Sequence, residues 1–265
     1  MDLTYWLKQT ADRPLYPNLL WSRPETKGQA GKLLIIGGSA HGFAAPAEAY
    51  AASQKAGVGT ARALLPAPVQ KVLPKHVLEA DFAPATPSGS FARQGLAEFL
   101  NVAAWADGVL LAGEFGRNSE TAILLEQFLQ KHAGQVTLTK DAAAYFLTSP
   151  DTLLQRPSTL AVLNFGQLQK LAASARLTTA FTSDMGLLQF VDALREFTTK
   201  HQLSIIARHH DNFTVATNGQ VSTTQLKNQP KLWCLQTAAH AAVWWLQNPN
   251  KPFEAFTTSL ASQSY

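Results

Sequence analysis

The chain is poor in cysteine: Cys234 stands alone among 265 residues, so no intramolecular disulfide can form. A lone thiol, with no CxxC pair and no His/Cys spacing of the kind that ligates zinc, argues against a structural metal and fits a reducing compartment. An excess of one charge is equally missing. The 22 basic and 18 acidic residues leave a net charge of +4, and no dense Lys/Arg cluster concentrates it, so nucleic acid is not indicated as a partner. Long apolar runs are absent as well. Met1-Asp2-Leu3-Thr4-Tyr5-Trp6-Leu7 has an early acid and too short an apolar core for a signal peptide, and no later run could span a bilayer. A cytoplasmic protein with no membrane partner is expected. Internal repeats and low-complexity segments are lacking, and 46% hydrophobic content suffices for one sizeable core, so residues 1–265 are read as a single domain.

What is present is organised around Gly31–Arg62, GKLLIIGGSAHGFAAPAEAYAASQKAGVGTAR. Leu33–Ile36 is short, branched and apolar, as suits a parallel strand buried on both faces, and Gly37-Gly38 permits a tight turn. Small residues over 44–52 predict a helix lying close to the sheet, ended by Gly57-Val58-Gly59 before a second strand at Thr60–Leu65. Such a turn offers backbone N–H groups to an anion, or its glycines serve packing alone; the residues leave both open. Gly37, Gly38 and Gly42 do not make GxGxxG, and Leu64-Leu65-Pro66 stands where an acid would follow, which disfavours an ordinary NAD-dependent dehydrogenase.

The same strand, turn and helix pattern recurs down the chain. Pro14, Pro17 and Pro24 punctuate an arm over 1–26, extended with one short helix, that packs on a neighbouring subunit or covers its own sheet. Strands are predicted at Val77–Phe82, Asp107–Ala112, Val136–Thr139, Ser158–Leu163 and Leu203–Ala207. Helices are predicted at Gly95–Ala104, Ser119–His132, from Asn164 through Ala175, at Asp184–Thr199 and at Lys231–Gln247. Thr217-Asn218-Gly219 joins Phe213–Ala216 to Gln220–Thr223 as a hairpin. A mostly parallel sheet covered by helices on both faces follows.

Lys27-Gly28, the run Gly31 to Ser39, Ala45-Pro46 and Lys55-Ala56-Gly57-Val58-Gly59 together resemble the opening of the ADP- or ATP-dependent NAD(P)H-hydrate dehydratases. The resemblance implies a ribokinase-like three-layer α/β/α sandwich with a mostly parallel central sheet. It further implies ADP or ATP with Mg2+ as cosubstrate, hydrated NADH or NADPH as substrate, phosphorylation of the hydrate's hydroxyl followed by elimination, and a homo-oligomer. By this resemblance Gly38, Ser39, Ala45, Gly116 and Asn164 contact the hydrate, while Arg208 and His209 lie at the nucleotide.

The chain also departs from that pattern. Glu114 and Phe115 interrupt the turn Gly113 to Arg117, and Thr139-Lys140 replace one acid of an acidic pair, so that Asp141 survives as the retained carboxylate, catalytic or a plain helix cap. Asn164 and Gln167 stand in place of a histidine and a glutamate. Where the family has a glycine-rich phosphate turn with a catalytic aspartate, this chain reads Asn228 to Gln236 without a glycine, and Gln236 occupies the aspartate's position. Glutamine cannot deprotonate a hydroxyl. Lys231 and Trp233 are expected to crowd the phosphate position. A relative that binds a nucleotide or dinucleotide without turnover is therefore the alternative. Gln236, His240 and Trp244 share one helix face; His240 is a substitute base or a buried histidine beside Trp244. His209 and His210, adjacent on a strand, should point to opposite faces, so no metal site is expected there.

Overall fold

In a computed structural model, residues 3–74, 77–225 and 233–263 are described. Strand β1 (Trp6–Thr10) and helix α1 (Pro17–Trp21) lead into the expected βαβ unit of β2 (Lys32–Gly37), α2 (Ala44–Lys55) and β3 (Thr60–Pro66). There follow β4 (Ala80–Ala83), α3 (Leu96–Trp105), β5 (Gly108–Gly113), α4 (Ser119–Lys131) and β6 (Gln135–Thr139). Short helices α5 (Lys140–Ala144) and α6 (Asp151–Gln155) precede β7 (Thr159–Leu163), α7 (Phe165–Ser174) and α8 (Leu187–Lys200). The chain then runs through β8 (Leu203–His209), β9 (Asn212–Thr217), β10 (Gln220–Gln225), α9 (Trp233–Gln247) and α10 (Pro252–Ser262).

The ten strands of the described residues form one sheet in the order β1-β10-β9-β8-β7-β6-β5-β2-β3-β4. Every neighbouring pair is parallel except those that β9 makes with β8 and β10. The carboxyl ends of all strands but β9 therefore share one edge. The two faces separate by the period of two along each strand. Leu33 and Ile35 of β2 join Ala49, Ala238 and Phe256 in one core, under α2, α9 and α10, whereas Leu34 and Ile36 join Phe99, Phe128, Leu168 and Phe190 in the other, under α3, α4, α7 and α8. This is the expected α/β/α sandwich.

The arm settles on its own sheet, since Trp6 to Thr10 pair in parallel with Val221 to Gln225. Gln9 fastens it: its buried amide donates to Thr224 Oγ1 at 2.8 Å and to the Thr257 carbonyl at 2.6 Å. Two further details differ from the sequence reading. The fourth strand is Ala80–Ala83, because its register is set by pairing with Ala63 to Pro66, and the proline-rich stretch after β3 contains a 3-10 turn at Ala67–Lys71. Asn228 to Leu232, the glycine-free stretch with Lys231, lies outside the described residues.

Candidate functional site

The chain leaves β2 toward β3 and β4 in one direction and from β5 toward β8 in the other, so the sheet's topological switch lies between β2 and β5. Ligands of open α/β sheets collect in the crevice outside such a point. Here the ends of β2 and β5 meet by backbone contact. A Cβ on Gly37 would stand 2.5 Å from the Gly113 carbonyl oxygen, so the two strand ends approach closely enough for the Gly38 N–H to donate to that oxygen at 2.9 Å. Ser39 closes the turn, its N–H donating to the Gly42 carbonyl at 2.8 Å.

Gly113 (φ 108°) and then Glu114 (φ 63°) take left-handed conformations. This backbone turns the Glu114 carboxylate onto the start of α2, where it accepts the Ala45 N–H at 2.9 Å. The helix terminus that the sequence offered to a ligand thus meets an acid of the chain itself. Asp141 holds the turn in place: one carboxylate oxygen accepts the Glu114 N–H at 2.7 Å and the other the Phe115 N–H at 2.9 Å. Burial raises the pKa of Asp141 above its ordinary value, against the lowering effect of those bonds and of the Lys140 charge. Asp141 is neither a free base nor a helix cap; it fastens the β5–α4 turn across to α5.

The expected contact residues line the same edge in different ways. Gly116 is exposed with φ 75°, and its carbonyl accepts the Tyr145 hydroxyl. Asn164 is exposed and caps α7, accepting the Gln167 N–H at 2.9 Å while Gln167 accepts the Asn164 N–H at 3.2 Å. Gln167 also donates to the Lys140 carbonyl at 2.6 Å, tying the mouth of β7 to that of β6.

Arg208, half-buried at the end of β8, donates from Nε to the His210 carbonyl at 2.8 Å. His209, expected at the nucleotide, is packed into the core. It is 4% exposed, shares a hydrogen bond with the Met185 carbonyl at 2.8 Å, and stacks on Phe190 and Phe165 at 4.6 and 5.7 Å between ring centroids. The two histidine rings also do not part to opposite faces: β8 ends at His209, His210 is left-handed (φ 51°), and the rings lie 4.1 Å apart.

On α9, Cys234 is buried enough to push its thiol pKa up to about 12, although the positive charges of Lys140 and Arg208 pull the other way. Those two cations stand at the ends of β6 and β8, on one carboxyl edge of the sheet. Sequence reasoning had seen Lys140 only as a lost acid. Trp233 packs edge-on against Phe213 at 5.2 Å. One turn on, Gln236 Nε2 donates to Glu48 Oε1 of α2 at 3.1 Å. Glu48 escaped notice in the sequence, although it falls three residues after Ala45 and so on the same helix face. His240 is half-buried with its Nδ1 shut away from solvent: desolvation, with the charges of Arg23 and Lys55, lowers its pKa to about 4, and that Nδ1 has no hydrogen-bond partner among the described residues. Arg23 lies over the Trp244 ring at 4.3 Å.

Among the described residues, no three or more His, Cys, Asp or Glu side chains are grouped to hold a metal ion, and no helix is long and apolar enough to cross a membrane.

In sequence, the chain matches no protein-family model and none of the curated proteins. In structure it has clear neighbours. A ribokinase-like superfamily protein from Enterococcus faecalis V583 superposes with a TM-score of 0.72 at 16% identity, over 99% of this chain and 88% of that one. The ADP/ATP-dependent NAD(P)H-hydrate dehydratase of Bacillus subtilis, co-crystallised with ATP/Mg2+, gives 0.60 at 12% identity, over 94% and 86%. Phosphomethylpyrimidine kinase of Clostridium difficile 630 gives 0.53 at 9% identity, over 86% and 96%. At such identities the likeness is one of fold, and the fold is ribokinase-like.

Proposed function

We propose that the crevice carries out nucleotide-dependent phosphoryl transfer to a hydroxyl, and that the reaction is ADP- or ATP-dependent dehydration of hydrated NADH or NADPH. The observation that carries this reading is the pair Lys140 and Arg208, two cations that stand at the carboxyl ends of β6 and β8, on the same edge of the sheet as the Gly37–Ser39 turn. A half-buried guanidinium and a second cation on the same sheet edge suit the phosphates of a nucleotide. The Gly37–Ser39 turn, Gly116 and Asn164 line the substrate end of the same edge, and the run from Gly31 to Ser39 supports the hydrate over other hydroxyl acceptors.

In the reaction, the hydrate's hydroxyl oxygen forms a bond to the terminal phosphorus of the nucleotide as the bridging P–O bond breaks and AMP or ADP leaves. The ring C–O bond then breaks, inorganic phosphate departs with its electron pair, and loss of a proton from the neighbouring carbon restores the double bond. Lys140 and Arg208 hold the phosphates during the first step. The donor set does not fit a protein-built magnesium site, because both Asp141 oxygens are committed to backbone N–H groups, and no step here runs through a metal.

Turnover of purified NADH hydrate with ADP or ATP tests the proposal. Return of reduced-coenzyme absorbance is expected, together with a roughly 10-fold to 100-fold loss of nucleotide affinity in Lys140→Ala or Arg208→Ala, the scale of one charge-assisted hydrogen bond. A second reading, a relative that binds nucleotide or dinucleotide without turnover, is favoured by one observation: the crevice's retained family acid, Asp141, is locked to the backbone, and Gln236 is no base. Micromolar nucleotide binding without any turnover would establish that reading instead.

A further inference from the structure

Three carboxylates stand on the segments that follow β2, β5 and β6: Glu48 on α2, Glu114 after β5 and Asp141 on α5. Two of them are committed to main-chain N–H groups, Asp141 with both oxygens and Glu114 at the start of α2. Removing a proton from a substrate would cost each of them contacts that shape the turn. Glu48 differs. It is half-buried on α2, on the face that Ala45 shares, and its Oε1 accepts from a neutral side-chain amide, Gln236 Nε2, at 3.1 Å. An amide of this kind orients a carboxylate without cancelling its charge, which a lysine or arginine partner would do. The pair also joins the two helices, α2 and α9, that bound the crevice on this face of the sheet.

We infer that Glu48 is the general base, oriented by Gln236, that removes the proton from the substrate hydroxyl. The inference rests on the phosphoryl-transfer reading above and names the group which that reading lacks. As the hydroxyl oxygen bonds to the terminal phosphorus, its proton passes to the Glu48 carboxylate while the nucleotide's bridging oxygen leaves with the electron pair of the broken P–O bond. Atoms and charge balance with the nucleotide as the sole co-reactant.

The test compares wild type, Glu48→Gln, and the double variant Glu48→Gln with Gln236→Asp, using NADH hydrate with ADP or ATP. Glutamine keeps a hydrogen bond to Gln236 and the side-chain volume, so the single variant should melt like wild type and bind ADP within threefold by calorimetry. Its kcat should nevertheless fall by roughly 100-fold to 10,000-fold, the usual worth of a positioned base, with little change in KM. The double variant returns a carboxylate to the pair from the α9 side and should turn over measurably faster than Glu48→Gln alone, while remaining below wild type because the carboxylate is displaced. A Glu48→Gln enzyme that turns over like wild type overturns the assignment and leaves the phosphoryl-transfer reading standing. A fall in kcat that comes with an equal loss of ADP affinity or of melting temperature also overturns it, because the pair would then be a structural tie. A wild type that binds nucleotide and turns over no hydrate overturns both.

Discussion

Replacing Gly37 with alanine should injure stability and turnover together, because the crevice depends on main chain approaching main chain at that residue. An alanine Cβ would sit 2.5 Å from the Gly113 carbonyl oxygen, 3.1 Å from Pro46 Cγ and 3.3 Å from the Gly113 nitrogen. The nearest of these is backbone and has no rotamer to change. Restoring ordinary contact requires the ends of β2 and β5 to part by about 0.5–0.9 Å, an overpacking strain on the order of 1–3 kcal/mol. The Gly38 N–H to Gly113 carbonyl bond, now 2.9 Å, stretches with it, adding about 1 kcal/mol. The sum is roughly 2–4 kcal/mol, or on the order of 4–16 °C in Tm for a chain of this size, read by circular dichroism or calorimetry.

Turnover should suffer further, since a displacement on the order of 1 Å among positioning groups can lower a rate about 100-fold. The Gly113 carbonyl is joined to Gly38, and the residue after it carries the Glu114 carboxylate to α2, so the shift spreads to the mouth of the site. A Gly37→Ala protein that melts within about 1 °C of wild type and turns over at the wild-type rate would refute the account of the crevice as a backbone-to-backbone junction.

Asp141→Ala should cost about 2–4 kcal/mol in urea unfolding, since two backbone N–H groups lose their acceptor. Because burial raises the folded pKa of Asp141, its contribution is complete below the unfolded value and declines as pH rises through the folded one; the penalty should therefore be larger in acid than near neutrality, and the reverse trend would count against the assignment. His209→Ala should lower stability by roughly 2–4 kcal/mol through loss of the Met185 hydrogen bond and two ring stacks, with ADP affinity unchanged by calorimetry; weakened ADP binding at unchanged Tm would return His209 to the nucleotide site. His240→Leu should flatten part of the acid limb of stability: with a folded pKa of about 4, this histidine contributes stability present above its unfolded value near 6.5 and lost as pH falls between the two. An acid limb as steep in the variant as in wild type would exclude that origin.

The parallel core was legible because its strands are short apolar runs whose identities need no partner to be read. Leu33 to Ile36 alternate faithfully between the two cores, and the small residues of α2 lie close to the sheet as their size implies. What the sequence withheld is long-range. Trp6–Thr10 mixes polar and apolar residues and becomes a strand only by pairing with Val221 to Gln225, more than two hundred residues away, so it read as an arm of either possible fate. His209 was read by position at a strand end, which says nothing of the aromatic slot that Phe165 and Phe190 build around it. Lys140 reads as a missing acid; its worth as a cation depends on Arg208 standing at the end of β8 on the same sheet edge. Glu48 and Gln236, 188 residues apart, meet only once α2 and α9 pack together.

The distribution of charge at this edge constrains how a ligand can lie. Glu114 sits on the start of α2 and already satisfies the Ala45 N–H, so an anionic group placed there would meet a carboxylate where the helix dipole alone would have welcomed it. Glu48 follows on the same helix face, so the α2 side suits a neutral hydroxyl or carboxamide that donates hydrogen bonds to acids. The opposite sign lies at the ends of β6 and β8, with Lys140 and Arg208, and the Cys234 thiol at the start of α9, its pKa pushed up to about 12 by burial, adds no charge of its own at neutral pH. Under the phosphoryl-transfer reading proposed above, a molecule with phosphates at one end and a hydroxyl acceptor at the other would lie with its phosphates toward Arg208 and its hydroxyl toward Glu48. The reverse orientation would set phosphate against Glu114 and Glu48, a like-charge juxtaposition that an interface tolerates only at a cost of several kcal/mol.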